Sequence, residues 1–166
     1  MRSSTDLILC AVDLSQGSEM IILKALQEAR VHGTGIHLLH VMHTPETYIS
    51  MPTVTFMGEE RFDRLHDEKI TEIKASISQK VEEIVQKASE SLGGTVDLIE
   101  EIHVHEGEPA VEILEKIGEL KAEMLVMGTH GKGFIEQTFL GSVAYKVVRR
   151  ITIPVLLVPV LSSGKD

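Results

Sequence analysis

The stretch LILCAVDLSQGSEMIILKALQEARVHGTGIHLLHVM, Leu7 to Met42, decides the fold. It opens with LILCAV (7–12), a short, apolar, β-prone run of the kind a strand buried on both faces needs. Residues 18–31 then set Ile21, Ile22, Ala25, Leu26 and Ala29 at the spacing of one helical face. IHLLHVM (36–42) reads as a second strand. Strand, helix, strand within so short a span argues for parallel strands joined by a crossover helix.

Working outward, the same alternation continues. A loop with Pro45, Pro52 and Gly58 leads into a long amphipathic stretch over about 60–92, where Phe62, Leu65, Ile70, Ile73, Ile77, Val81, Ile84, Val85, Ala88 and Leu92 keep three-to-four spacing. Gly93-Gly94 ends it. VDLIEEIHV (96–104) reads as a third strand, EGEP turns the chain, and Pro109 opens a helix over 109–120. MLVMG (124–128) is a fourth strand. A glycine-rich loop and a helix over 141–150 follow, with Arg149 and Arg150 at the end the helix dipole favours for cations. PVLLVPV (154–160) is the last strand, and its prolines assign it to a sheet edge. The expected architecture is α/β: an open, five-stranded parallel sheet in the order 3-2-1-4-5 with helices on both faces, as one domain over 1–166.

Composition agrees with that reading. Of 166 residues, 43% are hydrophobic and 25% charged, ordinary for a globular domain. No apolar run reaches the length that spans a bilayer, and the N-terminal segment reads as a strand rather than a signal peptide. The single cysteine, Cys10, forms no internal disulfide and fits a reducing cytoplasm as a small core residue. The net charge of −9, with dispersed basic residues, argues against tracking of nucleic-acid phosphates. A small anion remains compatible, because main-chain N–H groups bind one without lysine.

The loop GTHGKGFIEQTFLGS (128–142) has glycines at 128, 131, 133 and 141. It has neither the GxxxxGK[ST] of a P-loop nor the GxGxxG of a first strand–helix turn. In parallel sheets ligands sit beyond the C-terminal strand ends, where strand order reverses. AVDLS after strand 1, HVMHT after strand 2 and MGTHGKG after strand 4 all leave the sheet at that edge. Two readings stand. In one, the backbone at Gly128–Gly131 curls and, with the helix start at Gly141, Ser142 and Val143, cradles a phosphate chain. In the other, a mobile loop precedes a serine-capped helix. Asp13 likewise reads as a ribose or metal ligand, or as a cap or turn former.

MLVMGTHGKG followed by LGSVAYKVVRRITIPVLLVP resembles the universal stress protein family, as do ILCAVDLSQGS, LLHVMH and HEGEPAVEIL. The resemblance covers nearly the whole chain. The spacing Gly-2x-Gly-9x-Gly-Ser is the form seen in that family's nucleotide-binding members. It implies a Rossmann-like, adenine-nucleotide α-hydrolase-like fold that binds ATP or AMP with Mg²⁺. Gly128, Gly131, Gly141, Ser142 and Val143 would hold phosphates and ribose, with His130 alongside. Asp13 would lie near the ribose or the metal, Val12 and Val41 would frame the adenine, and Met127 would pack nearby. It also implies a cytoplasmic stress-response sensor or adaptor, paired as a homodimer through 154–160. A slow Mg-dependent ATPase and a nucleotide-independent interaction module are the alternatives. Leu14 stands where a glycine is common, and Glu123 where aspartate is usual.

The histidines argue less. His37, His40 and His43 are three apart and alternate faces on a strand, while His103 and His105 share a face but lack a third ligand nearby. Zinc is therefore not expected. The apolar loop 43–60, with Tyr48, Met51, Pro52, Val54, Phe56 and Met57, covers the nucleotide, packs on a partner, or docks on its own long helix.

Overall fold

The computed structural model describes residues 7–42, 58–131 and 139–160. The apolar loop falls mostly outside them, as does the glycine loop's centre with Gly133. The elements run β1 (Leu7–Ala11), α1 (Ser18–His32), β2 (Gly35–Met42), α2 (Glu59–Glu90), a 3₁₀ turn (Val96–Leu98), β3 (Ile99–Glu106), α3 (Pro109–Leu120), β4 (Met124–Gly128), α4 (Ser142–Val148) and β5 (Val155–Val158). All strand pairs are parallel and the sheet order is β3-β2-β1-β4-β5. The reversal point therefore lies between β2 and β4, at the C-terminal end of β1.

Alternation along the buried strands divides the core in two. Ile8, Cys10, Leu38, Val126 and Val158 face α1 and α2, meeting Ile22, Leu26, Val81 and Val85. Leu9, Ala11, Leu39, Leu125 and Met127 face α3 and α4, meeting Ile113, Ile117 and Val147. The strands are apolar on both faces because both are covered.

Four elements differ in their bounds from the sequence reading. The third strand starts only at Ile99, because Leu98 N–H bonds back to Thr95 O at 3.1 Å in a 3₁₀ turn that swings the chain off the long helix. That helix ends at Glu90, and Gly93 and Gly94 take φ values of 75° and 88°, which glycine adopts without cost. α4 is shorter than expected. Arg149 is its C-cap, and the guanidinium carbon lies 5.4 Å from the Tyr145 ring centre. β5 is confined to 155–158 by the prolines at 154 and 159, and it occupies the edge the sequence assigned it.

A bulge interrupts the β2–β3 ladder. Ile36 pairs with Ile99 but His37 pairs with Glu101, so Glu100 is the extra residue. This register sets Glu101 and His103 beside His37. It gives His103 the ligand neighbours that the sequence reading does not expect, whereas His105 pairs with Glu112 instead. His37 and His40 remain on opposite faces, as alternation requires.

Candidate functional site

The C-terminal ends of β1 and β4 are adjacent, and the chain leaves both toward the same cleft. Beyond β1, Val12 is held from two sides. Its N–H donates to Leu39 O at 3.0 Å, and His40 Nδ1 donates to its carbonyl at 2.9 Å. Asp13 Oδ1 accepts the N–H of Ser15 at 3.0 Å, which fixes the turn into α1. The turn-forming reading of Asp13 is thus present. Leu14 takes φ 62°, the left-handed region a glycine would enter freely, and its side chain packs on the core below α1.

Beyond β4, Thr129 ties three elements together. Its N–H donates to Val158 O at 3.0 Å, its carbonyl accepts the Gly141 N–H at 2.8 Å, and its hydroxyl oxygen accepts the Val160 N–H at 3.3 Å. His130 Nδ1 lies 3.0 Å from the same hydroxyl. Both described ends of the glycine loop are therefore pinned to the sheet edge.

The glycines act here through close approach, not through unusual dihedrals. Gly128, Gly131 and Gly141 all lie outside the positive-φ set, so the expected curl is not a left-handed one. A Cβ at Gly131 would lie 2.7 Å from Asp13 Oδ2, and one at Gly141 only 3.2 Å from both the Cα of His130 and the carbonyl oxygen of Thr129. Loop and carboxylate meet because Gly131 has no side chain. Gly141, rather than Ser142, is the N-cap of α4, and no side chain caps that helix. The serine-cap reading does not hold, since Ser142 is already the first helical residue.

Together these pieces enclose a cleft of about 660 Å³, within the ~300–1,000 Å³ typical of small-molecule sites. One wall is apolar: Val12, Val41 and Met127 from the sheet, with Leu39 and Met42 beside them and Ile113 from α3. The other is formed by Asp13, Gly128, His130 and Gly131 with the start of α4 at Gly141, Ser142 and Val143. All ten residues singled out in the sequence line this one cleft. Thr129, His40, Pro109, Ile113 and Leu140 line it as well, and none of them is a site residue in the sequence reading. Pro109 was visible only as the start of a helix. His40 and Thr129 become relevant through long-range hydrogen bonds that no local pattern announces.

The model of the universal stress protein family matches residues 5–159. A Thermus aquaticus relative, the universal stress protein in QAH/OAS sulfhydrylase 3′ region, is 31% identical over 152 residues, covering 91% of this chain and 96% of its own. Among solved structures, hypothetical protein MJ0577 of Methanocaldococcus jannaschii superposes with a TM-score of 0.66 at 22% identity, covering 96% of this chain and 99% of that one. A universal stress protein solved in complex with cAMP gives a TM-score of 0.61 at 24% identity, covering 95% and 98%. The two structural likenesses bear on the fold. With the family model spanning nearly its full length and a relative of 31% identity covering nine-tenths of it, the chain belongs to the universal stress protein family.

Proposed function

We propose that the chain binds an adenine nucleotide, ATP or AMP, in the cleft at the end of β1, and that occupancy is its signal as a cytoplasmic stress-response sensor or adaptor. The observation behind this reading is the two-part lining. An apolar slot between Val12, Val41 and Met127 suits a flat base. A wall of Gly128, Gly131, Gly141, Ser142 and Val143 with exposed main chain suits phosphates and ribose. In this reading His130 lies alongside the phosphates, and Asp13 lies near a ribose hydroxyl or a phosphate-bound Mg²⁺. The metal would neutralise phosphate charge, which a chain of net charge −9 otherwise repels. That a chain of the same fold has been solved with cAMP makes adenine nucleotides the first ligands to try. The span 1–166 acts as one domain, paired with a second copy through β5.

Calorimetric titration of the nucleotide-free protein with Mg-ATP and with AMP tests this. Wild type is expected to bind one equivalent. Gly131→Val, which drives a side chain into Asp13, is expected to weaken binding at least tenfold while still melting cooperatively. Absence of binding by wild type sinks the reading. Nucleotide turnover abolished by Asp13→Ala would instead favour the slow ATPase.

A further inference from the structure

Away from the cleft, on the α3 side of the β2–β3 edge, three side chains from two strands converge. His37 Nδ1 lies 2.8 Å from His103 Nε2, and Glu101 Oε2 lies 3.9 Å from the first and 3.7 Å from the second. We propose that His37, Glu101 and His103 form a binding site for a divalent first-row transition metal, zinc above all, separate from the nucleotide cleft and independent of it.

Geometry supports this first. Three atoms at those separations share a common centre about 2 Å from each, the length of Zn–N and Zn–O bonds. The ring centres are 5.0 Å apart with planes only 22° from parallel. With nitrogens 2.8 Å apart, the rings therefore lie edge to edge, nitrogen facing nitrogen, rather than face on face. In the metal-free state a single hydrogen fills that space. To take a metal, His103 gives up the hydrogen on Nε2 and carries it on Nδ1 instead, the rings swing apart, and both lone pairs turn toward Glu101, exchanging one hydrogen bond for two metal bonds.

The surroundings are those a ligating histidine needs. The bulge adds Glu100 to the same side, and its carboxylate lies 3.5 Å from His37 Nε2. That neighbour favours hydrogen on Nε2 and leaves Nδ1 bare, the carboxylate–histidine–metal arrangement. Gly35 belongs to the same arrangement, since a Cβ there would overlap the Glu100 carboxylate. Both histidine side chains are 12% exposed and Glu101 is 60% exposed, so the ion enters from the Glu101 side and water completes the coordination. Two nitrogens and one oxygen select zinc, nickel, copper or cobalt over magnesium, so this chemistry is distinct from any Mg²⁺ at Asp13.

The test uses tag-free, chelator-stripped, nucleotide-free full-length protein titrated with Zn²⁺, and with Co²⁺ for its visible absorption. One equivalent is expected, unaffected by excess Mg²⁺, with a rise in Tm on addition of zinc. His103→Gln and Glu101→Gln are each expected to weaken binding at least tenfold, and Glu100→Gln about tenfold. Glu101 is exposed enough that its variant will fold, so a misfolded His103→Gln does not blunt the result. Absence of stoichiometric binding, or binding that either ligand variant leaves unchanged, overturns the proposal. Gly131→Val is expected to bind zinc as wild type does, which separates this site from the cleft.

Discussion

Cys10 lies in β1 between Leu38 of β2 and Val126 of β4, with no accessible surface. Burial pushes its thiol far above the usual range, so the reactive thiolate does not form in the folded chain. The native protein should therefore resist alkylation by iodoacetamide and react only after unfolding in denaturant, as mass spectrometry would show. Labelling of the folded protein at the unfolded rate would put Cys10 outside the core. Leu14 makes the complementary point about backbone. Its left-handed conformation costs an L-residue about 1–2 kcal/mol, and apolar packing on the core offsets part of that. The turn that delivers Asp13 to the cleft is thus held by tertiary contacts rather than by local preference.

Among the elements, α3 depends on its first residues. Glu108 precedes Pro109 as the N-cap, accepting the Val111 N–H at 3.0 Å, and its other oxygen accepts from Lys146 of α4 at 3.0 Å. One side chain both starts α3 and links it to the helix that closes the cleft. The Lys146 bond holds the Glu108 carboxyl below its ordinary pKa. The sign follows from that depression: the contribution is complete above the unfolded carboxylate value and fades as pH falls through the lower folded one. Glu108→Ala should cost about 1 kcal/mol at neutral pH, mostly from the lost cap, since an exposed pair adds little. Urea melts of variant and wild type should converge as the pH falls from about 5 to 3. A gap that stays constant over that range would deny the charged form any part. Elements of this size were legible in the sequence because their apolar periods are long and uninterrupted, from Ile21 to Ala29 in α1 and Val111 to Ile117 in α3. The cleft was legible because parallel topology brings Asp13 and Gly128 to one edge. What was not legible is whatever depends on cross-strand register. The meeting of His37 with Glu101 and His103 hinges on one bulged residue, Glu100, which no period in β3 reveals. Thr129 and His40 were hidden for the same reason, since their partners lie about thirty residues away in sequence.

For the whole molecule, the sheet's two edges are unlike each other. The β3 edge carries Glu100, Glu101 and Glu106 and is bent by the bulge, devices that discourage a further strand. The β5 edge is VLLV, within a segment from Ile151 to Val160 that has no charged residue, and β4 is its only neighbour among the described residues. An apolar, uncharged edge needs covering, and a second copy of the same edge is the simplest cover. Light scattering at micromolar concentration should give twice the 18.3 kDa of one chain, and Val155→Lys should lower it toward one. A wild-type mass of a single chain would refute pairing. Edge and cleft also share backbone. Gly128 pairs with Val158, and Thr129 bonds both Val158 and Val160. A ligand against Gly128 and Gly131 therefore presses on the strand that would pair. Coupling of that kind is reciprocal: the factor by which Mg-ATP changes the dimer's dissociation constant equals the factor by which dimerisation changes ATP affinity. Sedimentation with and without Mg-ATP, beside calorimetry on wild type and Val155→Lys, measures both factors. Two matching factors of about fivefold or more would give nucleotide occupancy a route to a partner. Factors of one would confine the nucleotide's effect to the cleft and remove β5 as the means by which it is read.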